Sequence, residues 1–311
     1  MKSTTSRLAE TEERNPHSRN LDQKSTREVL RMISREDAHV APAVKQELPK
    51  IARAVDEIVA RLKKGGRLFY AGAGTSGRLG VLDASECPPT FGVPRTLVQG
   101  IIAGGRRAVT ESVEGAEDDA TAGARELRAR RLTSRDVVVG LAASGSTPYV
   151  LGSLIFARKH GAYTIGITTN RRTPISRIAH LTIAPVVGPE VIAGSTRMKS
   201  GTAQKMVLNM LSTTVMVRLG HIYDNWMINV AKTNQKLRQR ALRNLAEATS
   251  ADASTAEHAL RQAGDDLRVA LVMLKSGLDA GQARVRLAAH HGNVRKAIAS
   301  ASGPARGAAR N

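Results

Sequence analysis

A single cysteine, Cys87, stands in 311 residues. The chain cannot close an internal disulfide, which fits a reducing compartment. Aromatic residues are almost as scarce: one Trp, three Phe and four Tyr make up 3%. The core must therefore come from Ala, Val, Leu, Ile and Met. With 41% hydrophobic residues there is enough apolar material for one large domain with appendages, or for two domains. Long apolar runs are missing: nothing reaches the roughly 18 uninterrupted residues of a membrane span. Residues 1–20 mix Lys2, Arg7, Glu10, Glu12, Glu13 and Arg14 with no apolar h-region, so no export signal is read there. A soluble cytoplasmic protein is expected.

Acidic residues are in deficit. The 47 Lys and Arg outnumber 27 Asp and Glu, leaving a formal charge of +20. Such a charge raises nucleic-acid binding as a reading. The basic residues, however, are scattered over short runs such as Arg125–Arg131 and Lys236–Arg243, with no interleaved aromatics to stack on bases. Neither a nucleic-acid nor a membrane partner is expected. An anionic small molecule suits the charge better.

Residues 1–24 are polar and read as an extended arm. Ser25 or Thr26 caps a helix running to about Ile33. A longer helical pattern over 36–63 places Leu48, Ile51, Ala52, Val55, Ile58, Val59 and Leu62 at spacings of three and four. Pro49 breaks or starts it, and Gly65-Gly66 ends it. Then short apolar runs alternate with helical patterns. Strands are expected at Arg67–Tyr70, Thr96–Ile102, Asp136–Leu141, Tyr163–Thr168 and Leu181–Ala184, with helices over 76–86, 116–130, 147–160 and 197–219. That alternation predicts an α/β fold with a parallel sheet covered on both faces. After about residue 222 strand signals vanish, and 226–248, 254–264, 267–276, 279–289 and 293–300 read as helices. The organisation expected is an arm and helices over 1–57, a sheet domain over 58–221, a small helical domain over 222–301 and a disordered tail over 302–311.

In parallel sheets ligands sit beyond the carboxyl ends of strands, where this sequence puts its glycine- and hydroxyl-rich loops. The first, Ala71-Gly-Ala-Gly-Thr-Ser-Gly77, joins a strand to a helix. Its glycines allow close backbone approach to an anion, helix-start amides attract negative charge, and Thr75 and Ser76 add donors. The alternative is a tight turn with Ser76 as a plain N-cap. The loop lacks the lysine of a phosphate-binding P-loop and the acidic residue of a dinucleotide fold. The second loop, Ala143-Ser-Gly-Ser-Thr-Pro148, offers Ser144, Ser146 and Thr147 where another helix begins. A third segment, Gly194-Ser-Thr-Arg-Met-Lys199, precedes a long apolar helix. Three such segments favour a shared phosphate site over three independent caps.

These loops resemble, in order and spacing, a sugar isomerase (SIS) domain. In that family a glycine–Thr–Ser turn, here Gly74-Thr75-Ser76, and a Ser-Gly-x-Thr turn, here Ser144-Gly145-Ser146-Thr147, grip a phosphosugar. Glu190-Val-Ile-Ala-Gly-Ser-Thr196 resembles the element whose glutamate faces the sugar. Longer strings are similar to the N-acetylmuramic acid 6-phosphate etherase family: AGAGTSGRLGVLDASECPPTFG over 71–92, VEGAEDD over 113–119 and GSTRMKSGTAQKMVLN over 194–209. The arm TEERNPHSRN over 11–20 and the segment 225–236 also fit. The resemblance implies a three-layer SIS domain with N-terminal helices and C-terminal helices. It implies cleavage of the D-lactyl ether of N-acetylmuramic acid 6-phosphate to N-acetylglucosamine 6-phosphate and D-lactate, in recycling of cell-wall sugar, by a homodimer with no metal and no organic cofactor. It puts the two catalytic carboxylates at Glu86 and Glu117. Glu117 is assigned to removing the C2 proton, with Glu114 as its nearest competitor. Glu86 is assigned to protonating the departing oxygen and then activating water. Substrate binding is expected at Gly74, Thr75, Ser76, Ser144, Gly145, Ser146, Thr147, Glu190, Ser195, Thr196, Arg197 and Lys199. On charge alone Glu117 reads as helix-start charge, and Glu86 as a helix-end residue ill placed for the dipole. Cys87 reads as packing, His221 and Trp226 as structural. The rival is a non-catalytic sugar-phosphate-binding regulator. A sugar-responsive transcription regulator would need a recognition helix before the sheet, and 25–63 offers none.

Overall fold

The computed structural model describes residues 9–229 and 235–300. They fall into two compact units. One contains the chain up to Glu86 together with Pro94–Val215; the other contains Cys87–Val93 and the chain from Met216 onward.

In the first unit, α1 (Thr26–Asp37) starts on a capping box. Ser25 Oγ accepts from the Glu28 amide and the Glu28 carboxylate accepts from the Ser25 amide at 2.9 Å. The helix outruns its expected end by one turn. The helical pattern expected over 36–63 divides into the end of α1, α2 (Val40–Gln46) and α3 (Leu48–Leu62), with the helix start expected at Pro49 falling at α3. Pro49 sits in the first turn of α3, where its missing N–H is harmless. α3 buries Ile51, Ala54, Val55, Ile58, Val59 and Leu62, while Leu48 is 43% exposed.

Five parallel strands follow: β1 (Leu68–Gly72), β2 (Val98–Ile102), β3 (Val137–Leu141), β4 (Tyr163–Ile167) and β5 (Leu181–Ile183), in the order β2-β1-β3-β4-β5. Every residue of β1, β3 and β4 is buried, as strands covered on both faces require. Between them run α4 (Gly74–Phe91), α5 (Ala122–Ala129), α6 (Pro148–Lys159) and α7 (Pro174–Ile178), and α8 (Lys199–Leu219) follows β5. Phe69, Ala71, Val138, Leu127, Tyr149 and Leu154 share one core on the α5–α6 side of the sheet.

The register positions the site. Gly72 at the end of β1 is level with Ile102 of β2 and Leu141 of β3. The loops leaving these three strands therefore emerge side by side, at the point where strand order reverses about β1, the position at which open α/β sheets hold ligands.

The arm differs from the extended segment expected. Residues 10–23 form three short turns pinned to the sheet unit. The Thr11 amide donates to Asn170 Oδ1 at 3.3 Å, Asn15 Nδ2 to the Pro189 carbonyl at 3.1 Å and Ser18 Oγ to the Val191 carbonyl at 2.7 Å.

In the second unit, β6 (Ile222–Tyr223) and β7 (Trp226–Met227) pair as a small antiparallel hairpin. This corrects the expectation of no strand beyond residue 222 and of helix from 226. The helices α9 (Gln235–Thr249), α10 (Ala253–Gln262), α11 (Leu267–Ser276), α12 (Ala280–Ala289) and α13 (Val294–Ala299) share a core including Leu245, Leu260, Leu267, Val272 and Leu287. The tail over 302–311 lies outside the described residues. No helix among the described residues is long and apolar enough to cross a membrane.

Candidate active site

The first loop turns from β1 into α4 by a close backbone approach. A Cβ on Gly77 would stand 2.8 Å from the Gly72 carbonyl oxygen and 2.6 Å from Ile102, so only glycine lets strand and helix meet there. We expect Gly77→Ala to force this reversal open, at about 1–3 kcal/mol of stability. Chemical denaturation checks this value, and an unchanged midpoint would show the loop to be slack. The reversal leaves the α4 amide groups from Gly74 onward at the carboxyl edge of the sheet. Ser76 Oγ donates to Gln204 Oε1 at 2.8 Å, which ties this loop to α8.

The second loop is held from below. The Ala143 carbonyl accepts from Thr168 Oγ1 at 2.9 Å, Asn170 Nδ2 at 2.8 Å and the Thr169 amide at 3.0 Å. Gly145 has φ +71°, and a Cβ there would fall 2.5 Å from Thr173. Ser144 Oγ accepts from both the amide and the hydroxyl of Ser146, at 3.2 and 3.1 Å. Thr147 precedes α6 without a capping bond from its side chain, so its hydroxyl is not committed to the helix end. Thr169 Oγ1 donates to Ser200 Oγ at 3.0 Å, joining this loop to α8 as well. The loops singled out in the sequence thus converge on one helix start.

Within the third segment, Ser195 and Thr196 are half-buried and Arg197 is exposed. Glu190 and Lys199 are placed differently from the expectation of groups facing a sugar. Glu190 is fully buried, and its two oxygens accept from the Lys199 and Ser200 amides at 3.0 and 2.9 Å. It is the anionic cap of α8. Lys199 Nζ lies 2.5 Å from Glu36 Oε2 on α1, both side chains almost wholly buried. His17 Nδ1 lies 3.1 Å from the other Glu36 oxygen. Burial pushes the Glu36 carboxyl up, but hydrogen bonds from Lys199, Asn15 and His17 outweigh it and hold the group below the usual carboxylate range.

A cleft of about 380 Å³ opens beside the first loop. Its lining includes Ala73 and Gly74 of that loop, Arg78 of α4, and Ser112, Glu114 and Glu117 from the segment after β2. Arg78 braces this segment by donating to the Val109 carbonyl at 3.1 Å and the Glu111 carbonyl at 2.7 Å. Glu117 is exposed in a single 3-10 turn, Ala116–Asp118. It does not start a helix, contrary to expectation: α5 begins at Ala122. Asp119 fills that post, its Oδ1 accepting from the Thr121 amide at 2.8 Å and the Ala122 amide at 3.0 Å. Hydrogen bonds from Thr121 and Arg125 hold its carboxyl far below the usual range. The helix-start explanation of Glu117 therefore does not apply.

Glu86 is exposed on α4 and outside this cleft. The helix also does not break at the prolines: α4 runs through Pro88 and Pro89 to Phe91, with Cys87 and Phe91 buried. Sequence reasoning passed over Asp83, one turn earlier. It is buried and accepts from Ser212 Oγ at 2.9 Å. Burial, only partly offset by Tyr70, Ser212 and Lys205, pushes its carboxyl from 3.8 up to about 6. Folding thus favours protonated Asp83. This contribution is whole below the unfolded value and is lost as pH rises through about 6. We expect Asp83→Asn, which cannot ionise, to gain about 2 kcal/mol relative to wild type between pH 4 and pH 8. Urea melts at the two pH values measure it, and a pH-independent difference would contradict it.

The sheet carries two hydroxyl-bearing strand–helix turns at its reversal point, as ligand-binding α/β proteins do, and by similarity the chain is a SIS-domain protein. Residues 50–158 match the glucokinase regulatory protein N-terminal SIS domain, and residues 119–214 the SIS domain. Proteins named N-acetylmuramic acid 6-phosphate etherase are much more similar. Those of Pectobacterium atrosepticum and Salmonella agona are 54% identical, over 92% of this chain and 95% and 97% of theirs. That of Yersinia pestis is 55% identical over 92% of this chain and 97% of its own. The chain belongs to the N-acetylmuramic acid 6-phosphate etherase family.

Proposed function

We propose that the chain removes the D-lactyl group of N-acetylmuramic acid 6-phosphate by elimination followed by addition of water, with Glu117 and Glu86 as the acid–base pair. Membership of the family makes it an etherase, a carbon–oxygen lyase. One observation carries the catalytic reading: Glu117 shares a cleft with the glycine loop at the start of α4, which ordinary helix-start charge would not require.

The reaction follows from the substrate. An alkyl ether resists direct hydrolysis at neutral pH. Once the sugar ring opens to its aldehyde, the C2 proton becomes acidic because its carbanion delocalises into the carbonyl. Glu117 takes that proton. The C3–O bond breaks, Glu86 protonates the leaving oxygen, and lactate departs with the ether oxygen. Glu86, now a carboxylate, takes a proton from water as the water adds to C3, and Glu117, whose proton has meanwhile exchanged with solvent, protonates C2. The phosphate lies against the α4 amides, Thr75 and Ser76, and against Ser144, Ser146 and Thr147. Arg197 faces the lactyl carboxylate, and Ser195 and Thr196 the sugar. Such a charged phosphosugar is retained in the cytoplasm, where the reaction takes place.

Purified chain incubated with N-acetylmuramic acid 6-phosphate should release equimolar D-lactate and N-acetylglucosamine 6-phosphate. The match to a regulatory SIS domain supplies the rival of binding without turnover. A thermal shift with substrate but no lactate would favour that rival.

A further inference from the structure

We propose that Gln204 is a positioning residue for phosphate: its side-chain amide donates to Ser76 Oγ and so turns the Ser76 hydroxyl proton toward the phosphate. The inference rests on the reading that the first loop holds the phosphate of the substrate. Its ground is the meeting of α8 with the start of α4. A Cβ on Gly201 would stand 3.5 Å from Thr75 Cγ2, and Gln204 lies one turn further along α8, 1% exposed. Its Oε1 is 2.8 Å from Ser76 Oγ. Its Nε2 is buried and has no partner among the described residues.

The proton count decides what this pair can do. A serine hydroxyl has one proton. While that proton goes to Gln204 Oε1, Ser76 has none to give a ligand. The oxygens of an ionised phosphate only accept, so a bond from half-buried Ser76 to phosphate needs that proton. An amide has nearly the same outline either way round. Turned end for end, Nε2 donates to Ser76 Oγ, and the Ser76 proton is released toward the loop. The turn costs Gln204 little. It gives one stranded N–H a partner and puts the carbonyl oxygen in the unpaired position, where a buried acceptor is tolerated better than a buried donor. A plain tie between the two helices would leave Nε2 unexplained and would not bear on phosphate affinity.

Steady-state kinetics of three variants test this. Gln204→Met keeps the volume and removes the donor. It should raise KM for N-acetylmuramic acid 6-phosphate about tenfold and weaken inhibition by inorganic phosphate by the same factor, with kcat little changed. Gln204→Leu differs in shape but lacks the same donor, so it should give the same shift. Ser76→Ala should raise KM at least as much. Adding Gln204→Met to Ser76→Ala should change nothing further, because the amide then has no hydroxyl to turn. A wild-type KM in folded Gln204→Met and Gln204→Leu, with KM raised in Ser76→Ala, would overturn the inference and leave the phosphate reading standing. Effects that add in the double variant, or that follow the loss in melting temperature, would also overturn it. Unchanged KM and unchanged phosphate inhibition in Ser76→Ala would instead remove the phosphate reading, and the inference with it.

Discussion

Glu117→Gln should lower kcat/KM for lactate release about a thousandfold, near 4 kcal/mol of transition-state stabilisation, with little change in stability. The side chain is exposed and lies in a short 3-10 turn, and Asp119 rather than Glu117 serves the α5 amides. Removing its charge therefore leaves the fold alone. The chemistry is another matter, since the amide has no basicity to take the C2 proton. Exchange of the C2 hydrogen with solvent deuterium should vanish along with lactate release. Glu114→Gln should retain that exchange. Exchange lost in Glu114→Gln and kept in Glu117→Gln would reverse the assignment of the base.

The largest effect on stability should come from Lys199. Its ammonium is buried against Glu36, and its amide, with that of Ser200, is held by Glu190. Lys199→Met takes the buried ammonium from the Glu36 carboxylate and leaves it only the hydrogen bonds of Asn15 and His17, which costs about 3 kcal/mol. For a chain of this size the melting temperature should fall by roughly 10 °C. Glu36→Leu added to Lys199→Met should restore most of the loss, because two apolar side chains need no pairing. Because folding lowers the Glu36 pKa, its contribution stands above the unfolded value of 4.5 and is lost as pH falls through the folded value. The wild-type excess over Lys199→Met should therefore shrink on acidification. A raised KM with unchanged stability would instead make Lys199 a substrate contact.

Both effects separate what is local in this sequence from what is not. The five strands and the two hydroxyl-rich turns were legible because each is encoded within a few residues: apolar runs ended by glycine, hydroxyls before a helix, Pro148 in a first turn. The candidate pair Glu86 and Glu117 was legible only through long family strings; residue chemistry alone favoured helix-end charges. What escaped is what depends on distant contacts. Asn170 supports the second loop and grips Thr11 across 159 positions, so the arm read as extended. Asp83 meets Ser212 across 129 positions. Glu190 and Lys199 carry the charges expected of ligand residues, yet their partners, the α8 amides and Glu36, come from the fold. The two prolines after Cys87 predicted a helix break, but burial of Cys87 and Phe91 on either side holds the last turn against that local preference.

Isotopic labelling tests the central claim most directly. The reaction is run in deuterated, ¹⁸O-enriched water, and both products are analysed by mass spectrometry. Elimination and hydration should place one deuterium at C2 and one ¹⁸O at C3 of N-acetylglucosamine 6-phosphate, while lactate keeps the unlabelled ether oxygen. An ¹⁸O label in lactate, or a sugar product without deuterium at C2, would contradict it.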